Sequence, residues 1–259
     1  MNRRNFLQQS ALVAAGSSAI PSTPLGAQQA VREYYELRVY ELRNGGKRSV
    51  MDAYWKDAMI PALNALGVRN VGVFTEMGQP EPPKLYVLLP YTSLDQWAKA
   101  QQQVEQQPTY QRNSAAYFEQ ATPDSPNYLR YTSSLMLSFE GMPQMKVPGQ
   151  NEALFELRTY EGYDEDAVRR KIAMFNQEEL PIFEATGLKS VFFGETIIGD
   201  QLPQLTYLLA FADMNERDQN WQAFINHPDW KRVSKLPEYA DTVSRIDRTF
   251  LVPTDYSQV

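Results

Sequence analysis

The chain has 259 residues, 43% apolar and 12% aromatic, enough to bury the core of one large or two modest domains. Lys and Arg total 25 against 31 Asp and Glu, so the chain is acidic and has little of the basic surface that phosphate neutralisation demands; nucleic acid is a disfavoured partner. Zero cysteines exclude disulfides, thiolate nucleophiles and Cys-ligated metals, and the single histidine, His227, excludes metal sites built on two or more histidines of one chain.

Residues 1–27 differ in character from the rest. "MNRRNFLQQSALVAAGSSAI" has a basic start at Arg3 and Arg4, a short apolar run through Leu12 to Ala15, and small residues up to Ala27. This is the pattern of an export signal with a twin-arginine-like start, cut after Ala27. Asn2 and Gln8 depart from the usual twin-arginine pattern and leave the Sec route open. The apolar run is too short to serve as a permanent anchor. The expected mature protein is periplasmic or extracellular, and loss of Arg3 and Arg4 takes the formal charge from −6 to −8.

Beyond the signal, the chain is written twice. "YYELRVYELRNGG" from Tyr34 recurs as "LFELRTYEGYDED" from Leu154, and an ungapped offset of 120 also pairs Pro61 with Pro181, Gly67 with Gly187, Leu88 with Leu208 and Pro108 with Pro228. A repeat of this length is one supersecondary unit duplicated. The copies are placed at 33–139 and 154–252, joined by a non-periodic linker at 140–153.

In the first copy, Tyr35, Leu37 and Val39 alternate with Glu36, Arg38 and Tyr40, as a strand with one apolar face does. From Lys47 to Leu66 apolar residues recur at helical spacing, with Pro61 expected to bend the last turn and Gly67 to end it. "VRNVGVFTE" and "KLYVLLPY" read as two strands around the Pro-rich turn "GQPEPPK". A helix over Ser93 to Gln107, a short helix opened by Pro108 and a strand over Tyr128 to Phe139 complete the unit.

The order β-α-β-β-α-β predicts an α+β ferredoxin-like unit, with both helices on one face of an antiparallel sheet. Two such sheets in one chain can cover each other, so the expected architecture is an intrachain, pseudo-dimeric α/β barrel. On this reading Leu37, Val39, Leu157 and Thr159 face the helices, and Glu36, Arg38, Tyr40 and their second-copy partners face the space between two sheets.

The two E-x-R-x-Y strands, the helix endings "IPALNALG" and "LPIFEATG", and "HPDW" in the second copy resemble the NIPSNAP family of the dimeric α/β-barrel group. The resemblance covers roughly residues 33 to 252 and implies the barrel fold but little chemistry. Relatives in the wider group include cofactor-independent oxygenases and haem-degrading enzymes. The first copy keeps only Pro108 and Tyr110 of the second-helix pattern that Trp221, His227, Pro228 and Trp230 preserve in the second, so the second is the expected binding half.

The candidate ligand-binding residues are therefore Glu36, Arg38, Tyr40, Glu156, Arg158 and Tyr160. Charges between sheets must be neutralised. Either the glutamates balance the arginines where the two strands meet, or an arginine is left to hold a carboxylate. His227, Tyr40 and Tyr160 are candidate proton carriers, although His227 before Pro228 also suits a helix cap. The four tryptophans read as packing, and Glu76 and Glu195 as solvated strand ends. No metal site and no cofactor are expected. The leading function is an exported protein that holds a small organic ligand between its sheets; a cofactor-independent oxygenase-like enzyme and a non-catalytic interaction scaffold are the alternatives. Closing the barrel requires no further protomer.

Overall fold

A computed structural model describes residues 30–78 and 80–259. The expected export segment at 1–27 lies outside them. Eight strands form one closed antiparallel barrel: β1 (Tyr34–Glu41), β2 (Gly72–Glu76), β3 (Lys84–Tyr91), β4 (Arg130–Ser138), β5 (Leu154–Glu161), β6 (Lys189–Ile198), β7 (Gln204–Phe211) and β8 (Arg245–Pro253). Their order around the barrel is β1-β3-β2-β8-β5-β7-β6-β4. Within each copy the first strand lies between the third and the fourth, the ferredoxin-like arrangement the element order predicts.

The copies do not stack as two separate sheets. Their edges hydrogen-bond to each other at two seams, β2 with β8 (Thr75 opposite Val252) and β4 with β6 (Leu137 opposite Glu195). Each copy would otherwise expose two unpaired edges, and closure removes all four. Beyond β8 the backbone N–H groups of Thr254 and Gln258 donate to the carbonyls of Val73 and Val71, so the second copy continues along the first.

Closure also decides which face of each strand is dry, and this overturns the expected assignment. All eight strands send apolar side chains to one shared cluster, among them Tyr35, Phe74, Leu88, Met136, Phe155, Phe192, Leu208 and Leu251, with Leu37, Val39 and Leu157 in the same cluster. These fill the barrel. Glu36, Arg38 and Tyr40, with Glu156, Arg158 and Tyr160, point outward to the helix layer instead. An eight-stranded barrel has room inside for little more than its own side chains, sealed from water all round, so the apolar face must turn in. On the outer face the helices supply hydrogen-bond partners, Trp97 to Glu36 and Arg217 and Trp221 to Glu156, so polar groups are tolerated there. The expected ligand space between two sheets is thus occupied by protein.

On the outside each copy carries its own helices. The run 48–65 comprises α-helical Arg48–Ala53, a π-helical turn Tyr54–Met59 and α-helical Ile60–Ala65. The second copy repeats it as Glu165–Met174, Phe175–Glu179 and Leu180–Ala185. Pro61 and Pro181 follow these wide turns: the Ile60 N–H reaches back to Trp55 and the Leu180 N–H to Phe175, five residues away. The expected kink is absorbed as a π-turn. Gly67 and Gly187 end the runs at φ 81° and 76°, in the left-handed region that favours glycine.

The helix Leu94–Gln103 starts at Ser93, whose hydroxyl accepts from the Gln96 N–H, and Asp213 caps Met214–Asn226 in the same way. Both are followed by helices opened by prolines, Pro108–Asn113 and Pro228–Val233. The first copy adds a short helix, Ala115–Glu119. No described helix is long and apolar enough to cross a membrane.

Candidate functional site

The two E-x-R-x-Y strands lie apart, with β3, β2 and β8 between them, so their charges do not neutralise one another across a shared axis. Each glutamate is instead solved within its own copy, and differently.

In the first copy Glu36 is 5% exposed. It accepts from Arg38 Nε at 2.6 Å, Ser133 Oγ at 2.8 Å, Trp97 Nε1 at 3.0 Å and Tyr91 OH at 3.3 Å. Burial would raise its pKa, but Arg38, Ser133 and Trp97 outweigh that and hold the carboxyl below its usual range. One cation meets one anion. The space beside the pair is filled with rings: Tyr40 stacks on Tyr131 and meets Tyr128 and Trp55, while Tyr54 stacks on Tyr117 at 3.8 Å and shares a hydrogen bond with Tyr110. Burial pushes the Tyr40 hydroxyl up to about 12.

In the second copy Glu156 is fully buried and carries two guanidiniums. Arg158 Nη1 donates to Oε1 at 2.6 Å; Arg217 donates from Nε to Oε2 at 2.8 Å and from Nη2 to Oε1 at 3.1 Å. Trp221 Nε1 adds a fourth donor at 2.9 Å. Burial opposes ionisation, yet Arg217, Arg158 and Trp221 together hold the carboxyl below its usual range. Arg158 also donates from Nη2 to Tyr160 OH at 3.1 Å, and its buried Nε has no partner. Tyr207 OH donates to Tyr160 OH at 2.8 Å. Tyr160 therefore accepts twice, and its own proton remains to be given.

These groups line a cavity of about 480 Å³ between the barrel wall and the helices. Its aromatic walls are Phe183, Trp221, Phe224 and Trp230, and its charged lining is Arg158, Arg217, Arg248, Lys171 and Glu179. With Glu156 behind the wall and Asp218 accepting from Arg217 Nη1 at 2.8 Å, four cations meet three carboxylates, leaving one positive charge in excess. Arg248, on β8 and directly opposite Arg158 in the ladder, lies over the Phe250 ring at 5.3 Å and makes no ion pair among the described residues. Lys171 and Glu179 form an ion pair and are 6% and 2% exposed. A second cavity of about 470 Å³ lies under the linker, but it has no aromatic wall, and its Lys189 is already tied to Glu152 and Glu216.

Of the residues expected from the sequence, Arg158 and Tyr160 line the cavity and Glu156 anchors it. Glu36, Arg38 and Tyr40 form the filled counterpart. His227 is absent from the lining: its Nδ1 accepts from the Asp229 N–H at 3.3 Å and caps Pro228–Val233. Lys171, Glu179, Arg217 and Arg248 escaped sequence reasoning. The signal lay in the differences between copies, since Lys171 and Glu179 stand at +120 from Met51 and Met59, and Arg217 at +120 from Trp97. No group of three potential metal ligands occurs among the described residues.

The sequence pattern of the NIPSNAP family matches residues 35–124 and 155–258. Among solved structures, a presumed monooxygenase from Lactobacillus acidophilus aligns with 86% of this chain and 94% of its own at 12% identity and a TM-score of 0.56. One from Fusobacterium nucleatum aligns with 86% and 93% at 10% identity and 0.56. A NIPSNAP family protein of unknown function from Agrobacterium tumefaciens covers 41% of this chain and 91% of its own, at 17% identity and 0.36. No curated protein matches the sequence.

Proposed function

For a chain that belongs to the NIPSNAP family, we propose a function carried by its second copy alone: an exported protein that binds an aromatic organic anion in the cleft between β5, β8 and the helices. One observation carries this reading. Two arginines share one buried carboxylate while a third, Arg248, faces Arg158 without an acid of its own, all on a cavity walled by indole and phenyl rings. Arg248 is exposed, so solvent carries its charge in the free protein, but it stands directly opposite a second guanidinium, a like-charged pair that an anion would bridge. Guanidinium forks suit a carboxylate, and the flat walls suit an aromatic body. The first copy lacks both the surplus and the room, because Ser133 takes the place of Arg248 in the ladder and tyrosines fill the space.

Calorimetry with cinnamate, benzoylformate and phenylpyruvate tests the reading. Binding by the mature chain should weaken about tenfold in Arg248→Ser, which restores the residue found in the first copy, as loss of one charge-assisted contact predicts. Absence of binding by all three acids would refute it.

A further inference from the structure

The buried Lys171–Glu179 pair is not needed to build the fold. Its counterparts at −120 are Met51 and Met59, on the same faces of the same helix, beside the same π-turn, and equally buried at 0% and 5% exposure. The first copy closes this layer with two thioethers. A buried ion pair contributes little net stability over apolar residues of similar volume, since desolvation offsets the attraction. The charged pair occurs in one copy only, on the wall of that copy's cavity, and this invites a role beyond packing.

The surroundings fit a base. Lys171 is wrapped by the rings of Phe175, Trp230 and Tyr160, at 4.6, 5.6 and 5.8 Å, and touches Met174 Sδ at 3.4 Å, so the pair sits in a largely apolar shell on the cleft wall. Burial pushes the Glu179 carboxyl up, with Lys171 and then Arg158 pulling the other way. A carboxylate so placed is a stronger base than one in water. Glu179 belongs to the π-turn, an element that often marks a working site.

We propose that this pair transfers protons to and from the bound anion, with Glu179 taking a proton from a carbon next to a carbonyl while Arg158 and Tyr160 hold the enolate oxygen. The proposal rests on the anion-binding reading above. In the step, the C–H electron pair becomes the C=C bond and the carbonyl π pair moves to oxygen. There it is met by Arg158 and the unspent Tyr160 proton. The proton on Glu179 returns to the same carbon, so no oxidant or second substrate is consumed. Lys171 positions Glu179 and keeps it ionised between turnovers. The substrate class is an aromatic acid that bears an enolisable carbonyl.

The experiment follows exchange of the benzylic hydrogens of phenylpyruvate for deuterium in D₂O by NMR, with calorimetric binding measured in parallel. Benzoylformate, which has no such hydrogen, serves as the binding-only control. The mature chain should exchange phenylpyruvate well above the buffer rate, and Glu179→Gln should lose about a hundredfold or more. The double replacement Lys171→Met, Glu179→Met copies the first half; it should melt no lower than the parent and lose exchange. Exchange at the parental rate in the double variant, or binding of phenylpyruvate without exchange by the parent, overturns proton transfer and leaves anion binding standing. Failure to bind either acid overturns the anion reading itself. A double variant that melts well below the parent assigns the pair to structure and overturns the proposal from the other side.

Discussion

Arg158 and Arg248 are direct cross-strand partners on the outer face of the barrel, where the matching pair in the first copy is Arg38 and Ser133. Like charges directly opposite in a ladder destabilise it. On the anion-binding proposal, an anion between them would remove that cost, so binding and charge relief would be one event. Affinity for an aromatic carboxylate should fall as salt rises from low to physiological strength, and less steeply in Arg248→Ser. Isothermal titration at two ionic strengths checks both slopes; equal slopes in parent and variant would remove Arg248 from the site.

Arg38 is the one cation on Glu36 among the described residues, whereas Glu156 has Arg217 besides Arg158. Arg38→Met should therefore strand a buried carboxylate and cost roughly 3 to 5 kcal/mol. Arg158→Met should cost less, because Arg217 and Trp221 still hold Glu156. Urea denaturation of the two variants side by side decides it, and equal losses would contradict the unequal partnering.

The carboxyls of Glu36 and Glu156 both lie below their usual range in the folded chain, which therefore binds their protons less readily than the unfolded chain does. The stability they contribute is present above the ordinary carboxylate pKa and is lost as pH falls through the lowered native values. Glu179 has the opposite sign: its raised pKa favours folding at low pH and withdraws that contribution as pH rises. Glu156→Gln should cost several kcal/mol at pH 7 and progressively less below about pH 4, where the carboxyl of the unfolded parent begins to take up a proton while the folded one still resists it. Melting curves across that range should converge; parallel curves would show that the Glu156 charge is not what the arginines hold.

The filled barrel has its own test at the β4–β6 seam. A Cβ added to Gly194 would come within 2.8 Å of Met136 Cβ, and Met136 belongs to the interior cluster. Gly194→Ala should cost about 1 to 3 kcal/mol through overpacking, measurable by chemical denaturation. A neutral outcome would mean that the interior has slack for a ligand after all.

Export is read from Arg3, Arg4 and the short apolar run alone. N-terminal sequencing of the protein recovered outside the cytoplasm should begin near Gln28. An intact Met1 on the functional protein would end that reading, and loss of export on replacing both arginines with lysine would assign the twin-arginine route.

Duplication, element order and the helix-ending glycines were legible because each depends on local periodicity or backbone conformation. The direction of the strand faces was not. Tyr35, Leu37 and Val39 announce a buried face, but period two alone cannot say whether helices or a closed barrel bury it. That choice is made at the β2–β8 and β4–β6 seams, between residues more than 50 positions apart. Arg158 and Tyr160 could be named from their strand, since the motif sits in a single segment. The cleft also takes Lys171, Glu179 and Arg217 from two helices and Arg248 from the last strand, a convergence that no short stretch encodes. The Trp contact shows how a matched function can hide from alignment: Trp97 and Trp221 both donate to the motif glutamate, yet they are 124 positions apart, one helical turn out of step with the repeat.

The seams that join the two copies have a consequence for how such a protein can change. In a barrel assembled from two identical chains, every substitution appears twice, so a lysine and a glutamate placed beside one cleft would be placed beside both, along with whatever they cost. Here position 51 and position 171 mutate separately although they occupy equivalent places. One half can settle into tyrosine packing, while the other carries a buried ion pair and a cluster of arginines on its cleft. Unequal halves in one chain let a rigid partner and an adaptable one be inherited together.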